Sequence, residues 1–218
     1  MSSKFIFGID EVGRGPLAGP VVVGVFGTHN KKILKNFPLH KDSKKMTERE
    51  REFWFDFFTQ EKLKKTVFFE VGFSPATLID KKGIVYAIQH AMKKCITKLK
   101  KQNVLSYDSK ILLDGALVAP SLFLNQKTII KGDEKEKLIA CASVVAKVSR
   151  DRFMKKSAKK FEGYGFEIHK GYGTKKHSEM LKLKGPSKLH RLSFLKKYNF
   201  SFNKVAQNPN TGYSSILW

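Results

Sequence analysis

Two cysteines in 218 residues, with no CxxC pair and no Cys/His ligand spacing, leave no framework for disulfides or structural zinc. Cys95 and Cys141 stand far apart and read as reduced, buried thiols of a cytosolic protein. No stretch approaches the about 18 apolar residues of a membrane span. The N-terminus MSSKFIFGID has one lysine but no apolar h-region, so the chain reads as soluble, unexported and cytoplasmic. Acids are scarce as well: 19 Asp and Glu face 42 Lys and Arg, giving a net charge of +23 and a pI near 10.0. That excess is larger than solubility requires and points to a polyanionic partner. Nucleic acid fits better than an anionic membrane, because the basic residues are scattered along the chain and not gathered on one amphipathic anchor. A disordered basic tail is excluded by 41% hydrophobic and 12% aromatic residues, 18 of them Phe. Internal repeats and long low-complexity linkers are missing too, and the chain reads as one domain over 1–218.

The apolar residues are arranged with period. Phe5, Phe7 and Ile9 alternate along a first strand, and after a Gly/Pro segment the β-branched run at 21–27 predicts a second. A third is expected at 66–74. Between them, Thr47 with Glu50 has capping-box form, and Trp54, Phe57 and Phe58 follow at helical spacing, which predicts a helix over 48–64. Ile84, Ile88, Ala91, Met92, Cys95, Ile96 and Leu99 define one face of another helix. Strands are expected at 110–115 and 127–133, and a buried, sheet-packed helix of small residues at 138–151. This order predicts an α/β fold, a mixed sheet flanked by helices, with a core over about 1–155. A basic C-terminal helical segment over about 156–198 and an Asn-rich tail at 199–218 complete the chain.

The few acids fall at informative places. The stretch GIDEVGRGPLAGP, residues 8–20, sets Asp10 and Glu11 at the end of the first strand and follows them with Gly13, Arg14 and Gly15. Neighbouring strand residues point to opposite faces, so both acids serve one site only if the backbone bends there. The other reading of Asp10 is a turn residue paired with Arg14. Asp114 ends one inferred strand and Asp133 another, and strand ends in a mixed sheet are where functional side chains converge. Asp133 with Glu136 also fits an N-cap and capping box, and Glu134 and Asp151 compete for the fourth position. Asp151, beside Arg150 and Arg152, reads as an ion-paired helix-end residue. Clustered carboxylates in so basic a chain need a cation, and hard oxygen donors favour Mg2+ or Mn2+. Two such ions are a known solution to phosphodiester hydrolysis.

Taken in order, GIDEVGRGPLAGP, KDSKK at 41–45, LLDG at 112–115, KGDEKEKLIACASVVAKVSRD at 131–151 and KGYGTKKH at 170–177 resemble the bacterial type 2 ribonucleases H, ribonuclease HII. The motifs run from residue 8 to about 194, most of the chain. The resemblance implies a ribonuclease H-like fold and Mg2+- or Mn2+-dependent cleavage of RNA in RNA/DNA hybrids by two metal ions. It also implies incision 5′ to a single ribonucleotide in duplex DNA, leaving 3′-hydroxyl and 5′-phosphate ends. By the same resemblance Asp10, Glu11, Asp114 and Asp133 are the metal-binding acids. Gly13, Arg14 and Gly15 read the ribose 2′-hydroxyl, Tyr172 packs on the following deoxyribose, and Lys44 contacts a phosphate. Read without it, Tyr172 is equally a packed loop aromatic and Lys44 a solvated surface lysine. His169, His177 and His190 match no metal spacing and read as structural or phosphate-contacting, while Arg191 holds the C-terminal segment or a phosphate. The related ribonuclease HIII group usually lacks the Arg of GRG and carries an N-terminal extension; here Arg14 is present. The tail has no sliding-clamp motif, and the enzyme is expected to be a monomer. Outside this resemblance the charge also suits a non-catalytic RNA-binding module, or a nuclease of branched DNA.

Overall fold

The computed structural model describes residues 5–38 and 46–196; Lys44 and the tail beyond 196 lie outside the described residues. In chain order the elements are β1 (Ile6–Val12), β2 (Val21–Thr28), a 3-10 turn (Lys31–Leu34), α1 (Glu48–Leu63), β3 (Val67–Ser74), α2 (Ala76–Lys82) and α3 (Ile84–Lys101). There follow β4 (Lys110–Asp114), β5 (Gln126–Ile129), α4 (Gly132–Lys135), α5 (Lys137–Ala158), α6 (Phe166–His169), α7 (Lys175–Lys184) and α8 (Leu192–Leu195). The sheet has the order β3-β2-β1-β4-β5, antiparallel from β3 to β1 and parallel from β1 to β5. This is the mixed α/β architecture expected.

Helices cover both faces, and the strands record it. All eight residues of β2 are buried, which is why its sequence is a continuous apolar run without alternation. On one face Phe7 and Ile9 of β1, with Val23 and Val25 of β2, meet the apolar stripe of α3: Ala87, Ile88, Ala91, Met92, Cys95, Ile96 and Leu99. Each fully buried large side chain there contributes about 1.5–3 kcal/mol. On the other face α5 lies almost against the backbone. A Cβ on Gly8 would collide with the main chain of Leu138, and one on Gly24 with the carbonyl of Ala142. Small residues in α5 and bare positions in the strands thus explain the buried, non-periodic helix. Both thiols are sealed in these layers, and burial pushes Cys95 up to about 12.

Thr47 and Glu50 close the expected capping box at the start of α1. Three expectations change. β1 stays paired with β2 through Val12, so the chain turns at Gly13 and not between Asp10 and Glu11. β5 ends at Ile129, because Lys131 adopts a left-handed φ of 53° and turns the chain into α4. Asp133 therefore lies inside a helical turn and is not an N-cap residue: the N-caps are Lys131 for α4 and Glu136 for α5. Last, α5 continues past Asp151 to Ala158, so that acid is mid-helix.

The C-terminal segment is sewn to the loop after β1. Leu17 and Ala18 N–H donate to Gly171 O, Gly19 N–H to Leu189 O, and Arg191 N–H to Leu17 O. Asp80 of α2 accepts from the N–H groups of Leu192 and Ser193 at the start of α8. Within the segment three histidines form a satisfied neutral network. Ser187 N–H donates to His190 Nδ1 at 2.8 Å, which assigns the His190 proton to Nε2. That Nε2 lies 2.9 Å from His177 Nε2, and His177 Nδ1 in turn lies 2.9 Å from Tyr172 O. Gly171 N–H donates to His169 Nδ1, leaving Nε2–H for Tyr164 O at 2.7 Å. The His169 and His177 rings stack with centroids 4.3 Å apart. All three are buried, which settles them as structural residues and removes the phosphate-contact reading.

Burial holds His177 down to about 4 and His190, with the repulsion of His177 added, to about 3, and it lowers His169. Unfolded histidine titrates near 6.5. Below that pH the unfolded chain takes up protons that the folded chain refuses, so stability is complete above about 6.5 and is lost as pH falls. The melting temperature should drop between about pH 7 and pH 5, above the ordinary carboxylate range. A His177→Gln variant should melt lower but with a shallower pH slope; an unchanged slope would remove the histidines as its source.

Candidate active site

β1 runs on beside β2 to Val12 but beside β4 only to the Ile9–Leu113 pair, so the parallel strands part at the level of Asp10 and Asp114. Side chains at such a split, beyond the carboxyl ends of parallel strands, face a ready-made crevice. Asp10 is buried under α5, where the Ser143 hydroxyl hydrogen-bonds its carboxylate, and the Glu11 N–H donates to Asp10 Oδ1 at 2.7 Å. Asp114 Oδ1 accepts from Gly132 N–H at 2.6 Å, tying the end of β4 to α4, whose next residue is the buried Asp133. Burial first, then the negative charges of Glu11 and Asp114, push the Asp10 carboxyl well above its usual range, with Ser143 opposing. Glu11 is also raised, again chiefly by burial, with Asp114 adding and the Arg14 guanidinium opposing. Asp10, Glu11 and Asp114 thus share one electrostatic neighbourhood, and Asp133 follows in the chain the residue that bonds Asp114.

The competing acids are placed elsewhere. Glu134 is exposed. Asp151 bonds Lys147 at 2.8 Å and faces Arg51 at 3.9 Å, so it is ion-paired as expected, but not with Arg150 or Arg152. Arg14 pairs with Glu11 at 3.0 Å and not with Asp10. Among the described residues no three His, Cys, Asp or Glu side chains stand close enough to form a ready cage for a metal. The donor set itself fits a hard divalent cation: all its ligand atoms are carboxylate oxygens, two of the groups have raised pKa values, and they repel one another.

Beside the acids, Gly13 and Gly15 are bare for different reasons. Gly13 has a φ of 88°, and a Cβ there would strike Arg150 Nε, so its absence is required from inside. A Cβ on Gly15 would meet nothing within 4 Å, so this peptide faces open space. Tyr172 follows the left-handed residue Lys170 and lies 41% exposed, with Arg150 Cζ 5.8 Å from its ring centroid. It is not a packed loop aromatic. Sequence reasoning missed Ser143 as the partner of Asp10, and nothing in its small-residue helix distinguishes it. It also offered a phosphate for Arg191, which is fully buried and bonds the main-chain oxygens of Gly13, Arg14 and Gly19.

The Ribonuclease HII family model matches residues 7–201. The ribonuclease HII of Caldicellulosiruptor bescii is 44% identical over 193 residues, covering 88% of this chain and 87% of that protein. The ribonuclease H2 of Pyrococcus horikoshii has a TM-score of 0.62 at 26% identity, covering 88% of this chain and 96% of that one. The Archaeoglobus fulgidus ribonuclease HII, solved in complex with PCNA, has a TM-score of 0.67 at 23% identity, covering 94% and 99%. It shares the fold. The chain therefore belongs to the ribonuclease HII family, type 2 ribonucleases H, metal-dependent endonucleases that hydrolyse the RNA strand of RNA/DNA hybrids.

Proposed function

We propose that this protein cleaves RNA in RNA/DNA hybrids and also incises duplex DNA on the 5′ side of a single embedded ribonucleotide, giving 3′-hydroxyl and 5′-phosphate ends. It acts as a cytoplasmic monomer in ribonucleotide removal during DNA repair and replication. One observation carries the reading: three mutually repelling carboxylates at the β1–β4 split stand next to a loop whose Gly15 peptide is open to an incoming ligand.

Asp10, Glu11, Asp114 and Asp133 would hold two Mg2+ or Mn2+ ions, which supply activation of the attacking water and stabilisation of the leaving oxygen. The chain's own groups do the rest. Ser143 and the Glu11 N–H keep Asp10 in one orientation, and Gly132 N–H does the same for Asp114. Arg14, half exposed on Glu11, is placed to turn towards a phosphate once a cation takes that carboxylate. The peptides of Gly13, Arg14 and Gly15 approach the 2′-hydroxyl, the one group that separates RNA from DNA at that position. The exposed ring of Tyr172 packs on the deoxyribose that follows, so that a junction is preferred to a continuous hybrid. Lys44, by its place in KDSKK, contacts a phosphate, and Lys175 and Lys176 are exposed lysines close in the chain to Tyr172.

The direct test is a labelled DNA duplex with one internal ribonucleotide, incubated with Mg2+, Mn2+ or EDTA beside an all-DNA control. Cutting is expected 5′ to the ribonucleotide and only with metal. Asp10→Asn should lower turnover by at least about a hundredfold while duplex binding is kept. It should also raise the melting temperature in EDTA, since it removes a charge the free site disfavours. Full turnover in Asp10→Asn would end the metal reading. If lysines hold six to ten phosphates, duplex affinity should fall by about a thousandfold or more between about 50 and 200 mM salt. A flat salt response would contradict that. Tyr172→Ala should impair cutting at a single ribonucleotide more than cutting of a long hybrid, and equal losses would take the junction role from the ring.

A further inference from the structure

Arg150 and Arg191 are the largest side chains that the fold buries completely, and each is bonded to three main-chain oxygens. Arg150 donates to Pro20 O, Lys170 O and Ala18 O at 2.9–3.1 Å. Arg191 donates to Gly19 O and Arg14 O at 2.9 Å and to Gly13 O at 2.6 Å. Carbonyl oxygens thus fill the place an acid ordinarily takes. The two cations repel: burial first and Arg150 next bring Arg191 down to about 9, which leaves it charged at neutral pH.

The geometry of a peptide gives these bonds a direction. Gly13 O belongs to the peptide that carries the Arg14 N–H, and Arg14 O to the one that carries the Gly15 N–H. In a trans peptide the two groups point to opposite sides, and a cation on the oxygen both fixes the plane and strengthens the N–H as a donor. Arg14 and Gly15 are themselves exposed, and a Cβ on Gly15 would meet nothing within 4 Å.

We infer that Arg191 is a positioning residue for substrate discrimination: from beneath the loop it aims the Arg14 and Gly15 N–H groups at an incoming ribose 2′-hydroxyl. Arg150, bonded to the same loop and lying under the Tyr172 ring, fixes the spacing between loop and ring. This rests on the reading that the loop contacts the 2′-hydroxyl.

The test compares wild type with Arg191→Met, Arg191→Lys and Asp80→Ala, each checked by its melting temperature. It measures kcat and KM on a duplex with one ribonucleotide, and Kd for the all-DNA duplex of the same sequence. Arg191→Met should lower kcat/KM by about tenfold or more, as loss of charge-assisted hydrogen bonds predicts, with Kd for all-DNA duplex near wild type. A lysine reaches one carbonyl oxygen where arginine reaches three, so Arg191→Lys should lose a smaller but measurable part. Asp80→Ala frees the start of α8 without touching the loop, and should lower the melting temperature but not kcat/KM. Wild-type kcat/KM in Arg191→Met, an equal loss of all-DNA affinity, or the same kcat/KM loss in Asp80→Ala would each overturn the assignment. Should Arg191→Met fail to fold, Arg191→Lys decides, and an unchanged rate in it overturns. A wild-type enzyme that cuts all-DNA duplex as readily as the ribonucleotide duplex would instead sink the reading of the loop.

Discussion

Helix α5 lies at backbone distance from β1 and β2, and each part of the site takes its position from that contact. The contact exists because Gly8 and Gly24 offer no side chain where Leu138 and Ala142 approach. Along the helix, Ser143 meets Asp10, Arg150 meets Gly13 and Met154 meets Gly19, at intervals of four to seven residues on one face. A side chain inserted between sheet and helix would move the acid, the loop and the turn together, since close-packed layers transmit displacement instead of absorbing it.

The charge balance of the molecule follows from the same arrangement. A chain with 42 basic residues brings Asp10, Glu11 and Asp114 to the gap between β1 and β4, where they repel one another and burial raises Asp10 and Glu11. In the loop that follows β1 it does the opposite and buries two guanidinium groups against carbonyl oxygens. Both are unfavourable in the free protein. Under the proposed function a ligand completes each set: cations for the acids, and for the polarised loop a hydroxyl oxygen.

Much of this was legible in the sequence, and the limits have physical causes. The period-two and helical patterns located β1, α1 and α3, because each buries a face large enough to impose its period, while β2, buried throughout, was located by its continuous β-branched run. Asp10, Glu11 and Asp114 drew attention as acids at strand ends with glycines close behind them. Asp133 was assigned to a strand because TIIKGD continues an apolar run; only the left-handed Lys131, a conformation lysine seldom takes, turns it into α4. The short helices α6 and α8 have too few residues for a period. Arg191 was read as holding the C-terminal segment or a phosphate, but its partners were not legible: they are main-chain oxygens, which have no signature in the identity of residues far away in the chain.

The loop after β1 is finished by residues 171 to 191, so the bonds from Arg191 to Gly13 and Arg14 span 178 and 177 positions. A ribosome making this protein releases Asp10, Glu11 and the GRG turn long before Arg191, which fastens that turn. During synthesis the N-terminal part is therefore a sheet with an unsupported loop, and long-range closures of this kind are slow to form. Until Arg191 has emerged, the carbonyl oxygens of Gly13 and Arg14 lack the guanidinium that holds them in the folded chain.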